Sequence, residues 1–306
     1  MTYSIVARDA ATGEMGVAGQ SHYLGLGAVV PWAEPGVGVV ATQAFVEPAY
    51  GPLGLDLLRG GRSATAALRA LVAADAEADR RQVAVLDGAG EVAVHTGEGC
   101  IADACEATGD GVSAQANMVA TPTLARTMVD TFLGSDGALA DRLLAALDAA
   151  EAEGGDLRGR QSASLTVVSG ERLAARWTRR YDLRVDDHAD PLGELRRLLT
   201  LSRAYERLDE LEHAVEDGEI DRAMSLVDGV LDDGADNPEF PFWVAVVLAT
   251  AGRIDEARGL IAPVLATGDG WVRVLRGLSA VGRLDPDIVE RLTARGGDPT
   301  GHAEPR

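Results

Sequence analysis

Apolar and polar residues alternate at the start of the chain, and this pattern predicts that the chain begins in a sheet. Thr2 to Ala7 alternates with a period of two, and Thr12-Gly13 separates it from Gly16 to Gly19. Alternating segments on either side of a short Gly-containing turn are typical of a β-hairpin. Runs rich in valine and small residues at Ala28 to Val30 and Gly38 to Ala41 predict two further strands.

The spacing of leucine and alanine then changes to a helical period. Tyr50 to Arg59 carries four leucines, and Ser63 is placed to cap a second helix in which Ala67, Leu68, Leu71 and Val72 fall on one face. Two more helices are predicted at about Thr123 to Leu133 and from Leu139 through Leu147, where leucines recur in helical register.

A second group of strands is interleaved with these helices. The clearest hairpin joins Gln82 to Leu86 with Val92 to Thr96 through a Gly-rich turn, and Gly111 to Gln115 is expected as a third strand beside it. Ala163 to Val168 and Asp182 to Val185 are expected to complete the group. The order strands, two helices, strands, two helices, strands predicts an α+β fold. It suits two stacked sheets with helices on both outer faces, although other segregated α+β folds also fit.

The pattern becomes purely helical after Pro191 and contains a repeat. Gly218 to Ala223 is echoed by Gly252 to Ala257, and a weaker echo begins at Gly282. The separation in sequence between the first two copies equals the length of a tetratricopeptide (TPR) repeat. In such repeats each helix pair buries its apolar face against the next pair. We therefore expect an αββα-type domain at 1–200, a small all-α region of TPR-like repeats at 201–295 and a disordered tail at 296–306.

Composition and charge exclude several classes of function. The formal net charge of -20 argues against nucleic acid and anionic membranes as partners, because both require cationic patches. No segment has the length of a membrane-spanning helix or the pattern of a signal peptide, so we expect a cytoplasmic protein. The sequence contains no lysine, which excludes a Walker-type phosphate loop and a lysine Schiff base. Cys100 and Cys105 are too few for a disulfide framework.

Thr2 is the candidate nucleophile. A threonine at a free N-terminus combines a hydroxyl with its own base, since an α-amine has an unperturbed pKa near ~8. Removal of Met1 before a small residue would expose it, and the predicted strand would hold it in the sheet. The alternative is an ordinary second residue, because many proteins begin with Met-Thr.

Polar residues near strand ends are candidates for the rest of a site. Asn117 is the candidate donor to an oxyanion, although a turn asparagine bonded to its own backbone is an equal alternative. Arg160, in the segment between Gly154 and Ser162, could bind a substrate carboxylate or be paired internally. Five further residues could line a cleft or only bond buried loops, namely Gln20, Ser21, His22, Gln43 and Gln115.

A metal site is a weaker alternative. Asp186, Asp187 and His188 place carboxylates beside an imidazole, yet the spacing is unspecific, and an Arg-Asp network or a helix cap explains it better. Cys100 and Cys105, with His95, show no recognised ligand spacing. The sequence thus predicts no metal and no cofactor.

Six dispersed motifs together cover roughly residues 1–200. They are MTYSIVARD at Met1 to Asp9, QSH at Gln20 to His22, PWAEPGVGVVATQAF at Pro31 to Phe45, QANM at Gln115 to Met118, GGDLRGRQSASL at Gly154 to Leu165 and DLRVDDH at Asp182 to His188. With these motifs the chain resembles a bacterial family known as domain of unknown function 1028, which is assigned to the N-terminal-nucleophile (Ntn) hydrolase superfamily. It departs from the family pattern at Ala116, where glycine is expected.

The resemblance implies a four-layer αββα sandwich and a Thr2 nucleophile that attacks an amide carbonyl. Some relatives carry a peptidoglycan-binding module at the C-terminus, which the TPR-like region replaces here. The leading hypothesis is a hydrolase of a small linear or cyclic amide. The alternative is a scaffold that acts through its helical repeats, by binding a protein partner or by self-association into a homo-oligomer. Fold resemblance alone implies no substrate.

Overall fold

The computed structural model describes residues 2–101 and 103–294, and the chain divides into two compact units between Leu199 and Thr200. The predicted disordered tail at 296–306 lies outside the described residues. None of the described helices is both long and apolar enough to cross a bilayer.

Ten strands of the first unit form two antiparallel sheets. They are β1 (Thr2–Arg8), β2 (Met15–Ser21), β3 (Pro31–Glu34), β4 (Gly38–Ala44), β5 (Arg81–Asp87), β6 (Val92–Thr96), β7 (Cys105–Gly109), β8 (Val112–Asn117), β9 (Ser162–Val168) and β10 (Tyr181–Val185). Sheet A has the order β10-β9-β2-β1-β8-β7, and sheet B has the order β3-β4-β5-β6. Mixed α and β content, with antiparallel sheets in the N-terminal part, confirms the α+β class.

Ten α-helices accompany the strands in the described part of the chain. They are α1 (Tyr50–Arg59), α2 (Ala64–Ala74), α3 (Leu124–Gly134), α4 (Leu139–Ala152), α5 (Pro191–Glu216), α6 (Ile220–Asp233), α7 (Glu239–Thr250), α8 (Ile254–Ala266), α9 (Asp269–Ala280) and α10 (Pro286–Thr293). Ser63 accepts a hydrogen bond from the Ala66 N–H and caps α2 as the sequence predicts.

Three apolar clusters form the core of the first unit because successive strand residues point to opposite faces. One cluster joins sheet A to α3 and α4 and includes Tyr3 and Ile5. A second contains residues of both sheets, including Val6 and Leu86. A third joins sheet B to α1 and α2. The side chains that alternate with Tyr3 and Ile5 along β1 therefore point toward sheet B.

Two strand predictions are wrong. Ala28 to Val30 is not a strand, because a 3-10 turn at Leu26–Ala28 takes its place: the N–H groups of Val29 and Val30 both bond the Leu26 carbonyl. The strand begins instead at Pro31. The strand predicted at Gly111 to Gln115 exists as β8, but it pairs with β1 and β7 in sheet A rather than with the β5-β6 hairpin.

The second unit is helical and has its own apolar core. The helices α6 and α8 begin at Ile220 and Ile254, equivalent positions of the repeat found in the sequence. Each is preceded by a turn glycine in the left-handed region, Gly218 at φ 77° and Gly252 at φ 83°. The ring of Phe242 packs 4.8 Å from that of Trp271 within this core.

Candidate functional site

Thr2 begins an interior strand of sheet A. It pairs in register with Asn117 at the end of β8. On the other side, its hydroxyl donates a hydrogen bond to Ser21 Oγ, 3.1 Å away at the end of β2. Because β2 and β8 both run antiparallel to β1, their last residues meet its first. Thr2 is only 7% exposed, so the hydroxyl lies in an almost fully buried polar environment.

A small pocket opens beside Thr2. Its volume is 60 Å³, and most of its wall comes from the loop after β2, the 3-10 turn and the end of β4. The lining residues are Thr2, Tyr23, Leu26, Val29, Val30, Gln43, Ala44 and Val46. The pocket places a hydroxyl in contact with a space that a small ligand group could occupy.

Gln43 connects the sheet that carries Thr2 to the opposite sheet. Its Nε2 donates to the Thr2 and Gln115 carbonyls, both at 3.2 Å, and to Gln82 Oε1 at 2.8 Å. Its Oε1 accepts from the Ser4 hydroxyl at 2.7 Å, and Ser4 in turn accepts from Gln115 Nε2 at 2.8 Å. Gln43 therefore fixes the backbone of the candidate nucleophile and that of the neighbouring strand β8.

Gln82 is the centre of this network, and the sequence analysis missed it. Its Oε1 accepts from Gln43 and from Asn117, and its Nε2 donates to the Ala116 carbonyl at 3.0 Å. Gln82 is fully buried and lies on the same face of β5 as Ala84 and Leu86, which point toward the other sheet. A lone amide on the apolar face of a buried strand was the signal that could have identified it.

Asn117 is the last residue of β8 rather than part of a turn, and its side chain bonds Gln82 instead of its own backbone. The distance from its Nδ2 to Gln82 Oε1 is 2.9 Å. A carboxamide NH₂ has two N–H donors, so this bond uses one of them. The fixed side chain, opposite Thr2 in register, suits a donor to an oxyanion.

The residues directly after two of the network amides have left-handed backbones. Ala44 follows Gln43 with φ 69°, and Met118 follows Asn117 with φ 52°. Non-glycine residues in this conformation cost of order 1 to 3 kcal/mol and cluster at functional sites. A positive φ thus occurs directly after each amide, at the end of β4 and just beyond β8.

We expect Ala44→Gly to raise the free energy of unfolding by about 0.5 to 1 kcal/mol, because glycine adopts positive φ without steric strain. Urea unfolding measures this change. Ala41→Gly is the matched control, since Ala41 is buried in the same strand, and it should instead lower stability by about 1 kcal/mol. Equal losses in both variants would contradict strain at Ala44.

Gln20 and Arg160 are not brought against Thr2. Gln20 pairs with Tyr3, so its side chain points to the helix-covered face of sheet A. There the Glu151 carboxylate accepts from Gln20 Nε2, the Tyr3 hydroxyl and Arg160 Nε at 2.6, 2.7 and 2.6 Å. Burial raises the pKa of Tyr3 far above its usual value, so the phenol stays protonated as the donor.

The remaining predicted residues hold the loops around the pocket. Ser21 contacts Thr2 directly, whereas the exposed His22 contributes its backbone N–H to Asp156 Oδ2 at 2.8 Å. Ser162 donates to the Tyr23 carbonyl and accepts from the Leu26 N–H. Within the segment from Gly154 to Ser162, Arg158 pairs with the Asp156 carboxylate at 3.3 Å, and Ser162 braces the loop that lines the pocket.

The candidate metal ligands have other contacts. Asp187 accepts from Gln161 Nε2 at 3.1 Å, and His188 Nδ1 lies 2.8 Å from the Asp190 carbonyl. Within residues 2–101 and 103–294, no group of three or more His, Cys, Asp and Glu side chains is arranged to hold a metal ion. Cys100 and Cys105 are not joined in a disulfide, and burial raises the pKa of both thiols.

Comparison with known proteins gives two findings. The family described as "Family of unknown function (DUF1028)" matches residues 2–195. The crystal structure of protein SPO2555 from Silicibacter pomeroyi, which carries the same family description, is similar with a TM-score of 0.59 and 30% sequence identity. That match covers 65% of this chain and 87% of the other. No match to a curated protein is found.

Proposed function

The chain belongs to the family of unknown function DUF1028, and from this premise we propose that it is an Ntn-type amidohydrolase whose nucleophile is Thr2. The observation that carries the proposal is the position of Thr2: a hydroxyl at the first residue of an interior strand, beside a pocket and opposite a fixed carboxamide. The proposal requires Thr2 to be the N-terminal residue of the mature chain.

The apolar clusters support a four-layer αββα sandwich of the Ntn type for the first unit. They occur between sheet A and two helices, between the two sheets, and between sheet B and two other helices. In such an arrangement the space between the sheets ends at the strand termini. Thr2 lies at one of these termini, which suits a reaction that needs a buried nucleophile with access for a small substrate.

The proposed reaction proceeds through an ester on Thr2. Its Oγ attacks the amide carbonyl carbon, and the hydroxyl proton passes to the α-amine. Asn117 Nδ2 and backbone N–H groups hold the oxyanion. The C–N bond then breaks, and the leaving amine takes the proton from the α-ammonium group. Water next attacks the ester, which releases the acid and restores the Thr2 hydroxyl.

Intact-mass analysis tests whether Met1 is removed and whether Thr2 is the nucleophile. Protein from a host that removes N-terminal methionine should lack the mass of Met1. Incubation with a reactive β-lactone should then add the mass of one whole probe, because ring opening has no leaving group, and peptide mapping should place that mass on Thr2. Retention of Met1 in such a host, or an adduct elsewhere only, would contradict the proposal.

A groove in the second unit favours a second candidate function, binding of a protein partner to TPR-like repeats. The groove has a volume of 320 Å³, an apolar floor that includes Trp243, and three carboxylates at its wall. These are Asp209, Glu212 and Glu216, faced by one guanidinium from Arg283. Burial raises the pKa of Glu212, so a cation that pairs with its carboxylate would offset part of its desolvation. The expected occupant is an amphipathic peptide segment with arginine on one face.

We expect an amphipathic Leu/Arg peptide to bind at least about tenfold more weakly after the double substitution Asp209→Asn and Glu212→Gln, because each lost charge pair weakens a desolvated contact. Titration calorimetry measures the affinity. Glu256→Gln is the control for nonspecific attraction to an acidic protein, since Glu256 is exposed on α8 outside the groove. Equal affinities for both variants, or no binding to the unsubstituted chain, would exclude this function.

A further inference from the structure

We propose that the small pocket beside Thr2 binds the acyl side group of the substrate and selects a small, uncharged, aliphatic group. This inference rests on the proposed function, because it takes the Thr2 hydroxyl as the point of attack. It adds the chemical class of the acyl half, which neither the fold nor the family description supplies.

Five of the eight residues that line the pocket have aliphatic side chains. They are Leu26, Val29, Val30, Ala44 and Val46, and none of the lining side chains is charged. Transfer of an ionised carboxylate or ammonium group into such surroundings without a partner is strongly unfavourable. An aliphatic group gains about 25 cal/mol for each Å² of surface that it removes from water.

Apart from Thr2, the polar side chains that line the pocket are the exposed Tyr23 and the buried Gln43, and the polar atoms of Gln43 are already hydrogen-bonded. Its Nε2 lies within 3.2 Å of three acceptors, the Thr2 carbonyl, the Gln115 carbonyl and Gln82 Oε1. Its Oε1 accepts from Ser4. Because an amide has only two N–H donors, a polar acyl group in the pocket would compete with the network that orients Asn117.

The volume limits the length of the group. One water molecule needs about 10 to 15 Å³ of such space, so 60 Å³ accommodates a group of only a few heavy atoms. Isopropyl and isobutyl groups have this size, whereas a linear octyl chain does not.

Hydrogen bonds hold the segments that line the pocket in place and so preserve its volume. Leu26 N–H bonds Ser162 Oγ, and the same hydroxyl bonds the Tyr23 carbonyl, so the loop and the 3-10 turn share one anchor on β9. Across the pocket, Ala44 is confined to a left-handed backbone. Enlarging the pocket to admit a long chain would therefore disturb several hydrogen bonds together.

The test compares β-lactones that differ only in the substituent next to the carbonyl: isopropyl, n-octyl and carboxyethyl. Intact mass follows the rate of adduct formation on Thr2. The isopropyl probe should react at least about tenfold faster than either of the others, which corresponds to about 1.4 kcal/mol in the barrier. Equal rates for the carboxyethyl probe would overturn the inference while leaving the nucleophile intact.

Two variants test whether this pocket sets the preference for a short acyl substituent. Val46→Ala should enlarge the pocket and raise the relative rate of the n-octyl probe, and Val46 is half-buried on a loop, so the fold should tolerate the change. Val72→Ala is the matched control, because Val72 is also half-buried but packs between α2 and sheet B, away from Thr2. The same chain-length preference in both variants would show that this pocket does not set the selectivity.

Failure of the nucleophile is distinguishable from failure of the pocket. If no probe acylates protein that lacks Met1, the proposed function is wrong, and the pocket is tested by thermal shift with isobutyramide and succinamate at equal concentrations. Stabilisation by isobutyramide alone, reduced in the Val46→Ala variant, would support the pocket. Equal shifts, or no shift with either amide, would overturn it.

Discussion

Replacement of Thr2 by alanine is expected to abolish β-lactone acylation, with a decrease of more than about 1,000-fold in rate. Loss of a covalent nucleophile has effects of this size or larger in well-studied hydrolases, because the remaining groups only bind and polarise the carbonyl. The measurement is the rate of adduct formation by intact mass, under conditions in which the unsubstituted chain reacts completely.

Two variants separate chemistry from folding. Thr2→Ser keeps the hydroxyl and the small second residue, so it should retain activity within about tenfold. An arginine inserted after Met1 should prevent removal of the methionine while leaving Thr2 in place, and it should be as inactive as Thr2→Ala. The alanine variant loses the hydrogen bond to Ser21, which is worth about 1 kcal/mol, so its circular dichroism should be unchanged. Full activity in the inserted variant would exclude the α-amine as base.

Replacement of Gln82 by alanine is expected to lower the free energy of unfolding by about 3 to 5 kcal/mol, which is more than for the other variants considered. The change removes a fully buried side chain and leaves a cavity. It also leaves the amide groups of Gln43 and Asn117 without the oxygen that both now contact at 2.8 and 2.9 Å. Each unsatisfied buried polar group costs about 1 to 3 kcal/mol.

Chemical denaturation measures this loss, with Gln161→Ala as the matched control. Gln161 is half-buried, and its side chain bonds the exposed Asp187 carboxylate, so its loss should cost less than about 1 kcal/mol. A loss below about 1 kcal/mol for Gln82→Ala would show that water or rearranged amides replace its contacts. If Gln82 also orients Asn117, acylation should slow more than the loss of folded protein explains.

Local patterns in the sequence predict most elements of the first unit, because hairpins and amphipathic helices are encoded over short distances. The β5-β6 hairpin and the α2 cap at Ser63 are examples. The partner of β8 could not be obtained in this way. Besides its neighbour β7, β8 pairs with β1 at the very start of the chain, and no local signal distinguishes β1 from the nearer β5-β6 hairpin as a partner.

Strand β7 was missed because it lies at the edge of sheet A. Only Ala107 among its five residues is buried, so the apolar period is nearly absent. The error at Ala28 to Val30 has a different origin. Its apolar side chains are used by a 3-10 turn against the core, and apolar content alone does not distinguish a turn of this kind from a strand.

The candidate site was predicted in part. Five of the predicted residues have side chains in the space between the two sheets, near the strand ends, as strand-end polar residues would suggest: Thr2, Ser21, Gln115 and Asn117 from sheet A and Gln43 from sheet B. Gln20 and Arg160 point elsewhere, and for Gln20 the reason is the period of two along β2. Once β1 and β2 form a hairpin, Ser21 and Gln20 must face opposite sides. Gln82 could be identified as part of the site only once the second sheet was placed. The position of that sheet relative to β1 depends on contacts between residues distant in the sequence.

The position of β1 within sheet A has a consequence for synthesis of the protein. The neighbours of β1 and β2 on the far sides, β8 and β9, begin only at Val112 and Ser162. At about 5 to 20 residues per second, a ribosome needs roughly 7 to 28 s to add the segment between β2 and β9. During that interval the first hairpin has two unpaired edges that can join other strands. A nascent chain would therefore carry an exposed Thr2 before Ser162 of β9 can anchor the loop beside it, and the proposed hydrolytic activity would arise only after nearly all of the first unit had left the ribosome.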